Sequence, residues 1–204
     1  MRIWDEYRRK EGLVFVLSGP SGVGKDVVLS EFLHIGSGVK KCVTCTTRPR
    51  RDNEVDGVDY TFLTVDEFEA RKAECGFLET AVYCDHLYGT PKQWVEQETS
   101  LGNYVILKIE VQGGSEIRLW KPDSIMIFLV PPSMEELERR LRDRRTDSEE
   151  QIQSRLAQAR KELEETAKYD YVIENDSICR AARELWAIVD AERNRIRPDL
   201  KARN

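Results

Sequence analysis

The sequence contains no apolar run approaching the ~18 residues that a membrane-spanning helix needs, so no span is expected. It has only two histidines among its 204 residues. Its five cysteines include one close pair, Cys42-x-x-Cys45, with no second pair to complete a zinc site. That pair is read as alternating strand residues, and the odd cysteine count fits reduced thiols better than a disulfide framework. Net positive charge is also missing. The formal charge is −5 and the sequence pI about 5.3, which argues against broad contact with nucleic acid or an anionic membrane. The opening Met1-Arg2-Ile3-Trp4-Asp5-Glu6 has no signal-peptide core. On these absences the expected location is cytoplasmic. No internal repeat or low-complexity segment is present.

What is present suits a folded, soluble chain. Apolar residues make up 40% and charged residues 34%, enough for a core and a hydrated surface in one compact domain, with or without lobes. The organising stretch is Val14-Phe15-Val16-Leu17-Ser18-Gly19-Pro20-Ser21-Gly22-Val23-Gly24-Lys25. A buried strand leads into three glycines and a lysine, and a helical pattern follows with Val28, Leu29, Phe32 and Leu33 at helix spacing. Glycines let successive backbone N–H groups converge on an anion, and the helix start adds positive potential. Gly19, Gly24 and Lys25 match the G-x-x-x-x-G-K-[ST] phosphate-binding template. The hydroxyl residue that would follow the lysine is replaced by Asp26, and Val27 offers no hydroxyl either. A carboxylate there can meet Mg²⁺ directly or through water, or it can repel phosphates; the expectation taken is the metal role.

Along the chain, strands are expected at 13–18, 39–46, 60–62, 77–83, 104–109, 124–130 and 171–173. Helices are expected at 25–35, at 66–75 (capped by Asp66 with Glu69), after Thr90 as cap with Pro91 in first position, from 112, after the Ser133 and Ser148 capping boxes, and at 178–193. Tyr88-Gly89 reads as a turn. Nearly unbroken apolar strands alternating with helices imply a parallel sheet covered on both faces. The stretch 44–99 breaks that alternation and reads as an inserted lobe. The arginine-rich 139–155 segment is a second excursion. Two arginine clusters, Arg48 and Arg51 in the lobe and Arg140, Arg144 and Arg155 in the second excursion, suggest phosphoryl transfer, because charge on the transferred oxygens needs donors from outside the loop.

Several motifs recur in the order and spacing of one family. They are Gly19-Pro20-Ser21-Gly22-x-Gly24-Lys25, Thr46-Thr47-Arg48-x-x-Arg51-x-x-Glu54-x-x-Gly57-x-x-Tyr60, Phe77-Leu78-Glu79, Tyr88-Gly89-Thr90, Val111-Gln112-Gly113 and Pro131-Pro132-Ser133. The chain resembles guanylate kinase from about residue 13 to 193. The resemblance implies an α/β, P-loop NTPase three-layer core with a parallel sheet, an inserted α+β GMP-binding lobe and a helical lid. The core would be about 12–43 and 100–204, the lobe about 44–99 and the lid about 137–155. It implies Mg²⁺-ATP and GMP as substrates, with no nucleic-acid or membrane partner. Gly19, Pro20, Ser21, Gly22, Val23, Gly24, Lys25, Asp26 and Arg140 would bind ATP, with Asn175 near the adenine. Thr44, Arg48, Arg51, Tyr60 and Tyr88 would hold the GMP phosphate. Glu79, Thr90 and Glu110 would face guanine, whose N1–H and N2–H₂ donors suit a carboxylate. Lys25, Arg48, Arg144 and Arg155 would carry the transfer, with no general base, since the acceptor is already an anion.

The chain also departs from the family pattern. Besides Asp26-Val27, Cys45 replaces a smaller residue, Lys108 stands where an acid near the metal is common, Asn53 and Arg145 replace glycines, and Glu110 is one carbon longer than the usual Asp. Two alternatives are weighed: a ribose 1,5-bisphosphate kinase of the same fold, which Lys25-Asp26 resembles, and a non-catalytic interaction module.

Overall fold

A computed structural model describes residues 11–36, 38–83, 85–143 and 148–195. Its first layer of order is a five-stranded parallel sheet. In chain order the strands are β1 (Val14–Ser18), β2 (Lys40–Lys41), β7 (Val105–Lys108), β8 (Ile125–Val130) and β9 (Tyr171–Glu174), and their spatial order is β2-β7-β1-β8-β9. Successive residues of β1 serve opposite faces, as strand geometry requires. Phe15 and Leu17 pack with helices α1 (Lys25–His34) and α7 (Ile178–Asn194) through Val28, Leu29, Phe32, Ala181, Leu185 and Val189. Val14 and Val16 pack with α3 (Lys92–Ser100) and α4 (Val111–Trp120) through Val95 and Ile117. A strand that is wet on neither face can be continuously apolar, and every residue of β1 is buried. Each such fully buried large side chain stabilises the fold by about 1.5–3 kcal/mol.

A second, smaller sheet carries the lobe. Its order is β4-β3-β6-β5, from β3 (Cys45–Thr46), β4 (Thr61–Phe62), β5 (Phe77–Tyr83) and β6 (His86–Pro91). Helix α2 (Val65–Ala73) covers it, with Phe68 fully buried and stacked on Phe77 at 4.5 Å between ring centroids. The remaining helices are α5 (Met134–Asp143) and α6 (Glu149–Glu164), followed by a 3₁₀ turn at Glu165–Lys168. They share a small core of Leu137, Leu141, Ile152, Leu156 and Ala159. No helix among the described residues is long and apolar enough to cross a membrane.

The structure corrects several local readings. The expected strand 39–46 is two strands in two different sheets, so Cys42 lies in the main core and Cys45 in the lobe, where it accepts from Arg71. Helix α2 is capped by Thr64 and Glu67 in a reciprocal box, two residues before the expected Asp66, because Thr64 is the residue left in extended backbone. Tyr88-Gly89 is strand rather than turn, and Thr90 continues β6, leaving Pro91 as the cap of α3. The Ser148–Gln151 box forms in full. At Ser133 only half forms: its Oγ accepts from the Glu136 N–H, while the Glu136 carboxylate turns to Arg139 and Arg140.

Candidate active site

The loop 19–24 joins β1 to α1 at the carboxyl edge of the parallel sheet, where open α/β folds bind ligands. Two glycines there are required by contact as well as conformation. Gly19 has φ 151°, and a Cβ on it would stand 2.3 Å from the Leu129 carbonyl oxygen. Gly24 has φ 99° and caps α1; its Cβ would meet the Asn175 side-chain nitrogen at 2.6 Å. Lys25 folds back over the loop. It is 8% exposed and donates to the carbonyls of Gly19 at 2.6 Å and Pro20 at 3.4 Å, with the Glu110 carboxylate at 3.3 Å.

Asn175 and Arg140 sit beneath the loop rather than in the cleft. The Asn175 amide donates to the Val23 carbonyl at 2.7 Å and the residue is 2% exposed, so the expected place beside adenine becomes that of a loop anchor. Arg140 donates to the carbonyls of Val23 and Asn175, tying α5 to the same anchor. Arg155 does reach the cleft from α6. It donates to the Ser21 hydroxyl at 2.7 Å and the Tyr83 hydroxyl at 2.9 Å, and those two hydroxyls are 2.7 Å apart. Arg144 and Arg145 lie outside the described residues.

Across from the loop stands the lobe. The Glu79 carboxylate is 4% exposed and accepts from the Thr90 hydroxyl at 2.6 Å. Burial pushes its pKa up to about 7; the Thr90 hydrogen bond opposes the rise and the charges of Glu116 and Glu110 add to it. Arg48 pairs with Glu54 at 2.5 Å and lies over the Tyr60 ring. The same Glu54 carboxylate accepts the Arg51 backbone N–H, so it buckles the basic loop around both arginines. Tyr60 and Tyr88 meet edge to face at 6.0 Å, and Tyr83 and Tyr88 at 6.5 Å.

Lys108 closes the floor of the cleft from the end of β7. Its ammonium binds the Asp26 carboxylate and donates to the Tyr60 hydroxyl at 2.9 Å. Burial would raise the Asp26 pKa, but it counts for little in a side chain that is 79% exposed to the cleft; Lys108, in contact, holds the carboxyl below the usual range.

One cavity of about 410 Å³ is lined by Lys25, Asp26, Thr44, Arg48, Arg51, Tyr60, Glu79, Tyr88, Lys108, Glu110 and Arg155 together. Gly19 and Val23 belong to the loop without lining the cavity, and Thr90 reaches it only through its bond to Glu79. Glu110, expected at guanine, lines the cavity but turns its carboxylate to Lys25. Tyr83, Lys41 and Glu54 are cleft residues the motif reading left without a role. Tyr83 was findable, because Glu79, Ala81 and Tyr83 share one face of β5 at period two.

A strand, a glycine cradle and an opposed carboxylate-and-arginine lobe narrow the candidates to nucleotide kinases. The model of the family described as guanylate kinase matches residues 11–192. The chain belongs to the guanylate kinase family. The guanylate kinase of Symbiobacterium thermophilum is 44% identical over 187 residues, covering 92% of this chain and 89% of that one. That of Caldanaerobacter subterraneus subsp. tengcongensis is 42% identical over 188 residues, covering 92% and 91%. The crystal structure of guanylate kinase from Anaplasma phagocytophilum superposes with a TM-score of 0.78 at 30% identity, covering 93% of this chain and 90% of that one. The three-layer α/β core with its parallel sheet is thus the fold of a guanylate kinase.

Within this guanylate kinase site, Gly113 of α4 leaves the room that the Glu79 carboxylate occupies. A Cβ there would stand 2.4 Å from the Glu79 Oε2 and 2.9 Å from its Cδ. Gly113→Ala is expected to displace the Glu79 carboxylate and raise KM for GMP by about tenfold or more, with KM for ATP unchanged. Steady-state kinetics with each substrate varied in turn checks this.

Proposed function

We propose that the chain transfers the terminal phosphoryl group of ATP to GMP, giving ADP and GDP. The observation that carries the reading is the shared cavity: Lys25 at the donor end and the Glu79–Thr90 pair at the acceptor end open into one space. The bond between the γ-phosphorus and the bridging oxygen breaks, its electron pair leaving on ADP. A new P–O bond forms to a phosphate oxygen of GMP, and no proton need move. The chain's task is to align two anions and offset their repulsion. Lys25 and the loop amides hold the donor phosphates. Arg48, Arg51, Tyr60, Tyr88 and Thr44 hold the acceptor phosphate, and Arg155 reaches between them. Glu79, with Thr90 fixing one oxygen, accepts from guanine.

Among the described residues no group of three or more His, Cys, Asp or Glu gathers to cage a metal. Mg²⁺ would enter with ATP, and Asp26, whose carboxylate is exposed in the cleft beside the glycine loop, would be its protein ligand. When bound, the ion neutralises charge on the β- and γ-phosphate oxygens. We divide the chain into a core, a lobe from about 44 and a lid of about 137–155; α3 is better counted with the core, since Val95 packs there. The cytoplasm is the location proposed.

A coupled ADP-release assay with ATP and Mg²⁺ against GMP, dGMP, AMP, CMP, UMP and ribose 1,5-bisphosphate tests the reading. Strong preference for GMP is expected. Turnover of the sugar bisphosphate alone, or GMP binding with no turnover, would overturn it in favour of one of the two alternatives.

A further inference from the structure

Lys108 is a cation that the phosphate-binding loop and the lobe arginines leave unexplained. It is the last residue of β7, paired in register with Leu17 just before the glycine loop, so its side chain emerges at the carboxyl edge of the sheet. Its two partners come from the two ends of the site: Asp26 from the helix that follows the loop, and Tyr60 from the lobe. The ammonium therefore lies between the donor cradle and the acceptor tyrosine. It has three N–H donors, and these two partners account for two. Among the described residues no third acceptor is in reach, while the cavity is. The Tyr60 ring lies under it at 4.9 Å, which fixes the direction of approach. Its neighbour Lys41 is engaged differently, donating to the Val58 carbonyl at 3.3 Å.

We propose that Lys108 is a further catalytic residue, whose remaining N–H donates to an oxygen of the acceptor phosphate and, in the transition state, to the transferring phosphoryl group. No proton is transferred; the ammonium supplies a hydrogen bond and a full charge. Asp26 and Tyr60 hold it in place. This rests on GMP being the acceptor.

The test measures binding of GMP and of guanosine, without ATP or Mg²⁺, and turnover with both. The proteins are the wild type, Lys108→Met and the double variant Asp26→Asn/Lys108→Met. Lys108→Met is expected to weaken GMP by about tenfold and to lower kcat by about a hundredfold, leaving guanosine unchanged. The double variant, which leaves no carboxylate without its partner, should retain most of the loss of GMP affinity; its turnover is not compared, since Asp26 is the carboxylate assigned to Mg²⁺. Restoration of wild-type GMP affinity in the double variant would show that Lys108 merely neutralises Asp26. An equal loss of guanosine affinity would show that it acts by bracing Tyr60. Either outcome overturns the proposal. A wild type that fails to bind GMP at all brings down the acceptor reading instead.

Discussion

Lys25→Met is expected to lower kcat by about a thousandfold or more while the fold stays intact. The lysine is 8% exposed and lies across the mouth of the glycine loop, bonded to two of the loop's own carbonyls. A full charge held there costs little rearrangement when phosphate oxygens arrive, because its stem is already packed. Methionine keeps the stem and removes the charge. The groups it leaves behind are two loop carbonyls and Glu110, whose side chain is 30% exposed and can be solvated, so the variant should melt near the wild type. Affinity for GMP alone should change by no more than a few-fold, since the place proposed for Lys25 is the donor end. The pairing of kcat with a calorimetric GMP titration checks both halves. A loss of turnover under tenfold would mean that the loop amides and arginines suffice without it.

The second large effect concerns Glu79 and pH. On the proposed reading only its carboxylate accepts both guanine donors, and burial has raised its pKa to about 7. KM for GMP should therefore fall as pH rises from 6 to 8, by up to about tenfold per unit below 7, with KM for ATP flat. Glu79→Gln should remove this dependence and reduce preference for GMP over AMP by about a hundredfold or more, because its amide can accept one guanine donor but meets the other with a donor. Stability should move the opposite way. The folded pKa lies above the unfolded value of 4.5, so the neutral form is favoured on folding. That contribution, at most about 3 kcal/mol, is complete below pH 4.5 and disappears as pH climbs through 7. Comparing the melting temperatures of wild type and Glu79→Gln at pH 5 and 7.5 isolates it; parallel changes in the two proteins would refute the assignment. The charged groups nearest Glu79, namely Glu110 and Glu116, act in the same direction.

The layered core was legible because its signal is local. Continuous apolar strands such as Ile125–Val130 and the glycine loop announce a buried parallel sheet and an anion site from a dozen residues each. The arginines and tyrosines of the lobe were legible as a set, although only the fold brings Arg48 and Tyr60 to the cleft that holds Lys25. What escaped depends on distant pairing. Lys108 meets Asp26 across 82 positions, and nothing local to either residue says that each neutralises the other. Asn175 looks like a polar residue ending a strand, and only its distance to the Val23 carbonyl, 152 positions away, makes it an anchor. Thr90 resembles a helix cap because Thr-Pro commonly starts helices; pairing of its neighbours Gly89 and Pro91 with β5 keeps it in the sheet, and its hydroxyl donates to Glu79. The cap of α2 was missed by two residues, within the margin where several hydroxyl and carboxylate residues compete for one role.

The short run Lys40–Thr46 contributes one strand to each sheet, with Cys42, Val43 and Thr44 between them. On the return path, β6 ends at Pro91 and α3 begins at the next residue. The lobe is thus mounted on two very short straps, one of which is also the edge of the main sheet. A swing of the lobe would have to be taken up as torsion in a few peptide units, and Thr44, which lines the cavity, sits on that axle. In mechanical terms the lobe is a lever whose pivot itself lines the cavity, so a bulky or stiffening substitution at Val43 would alter the swing without touching either nucleotide.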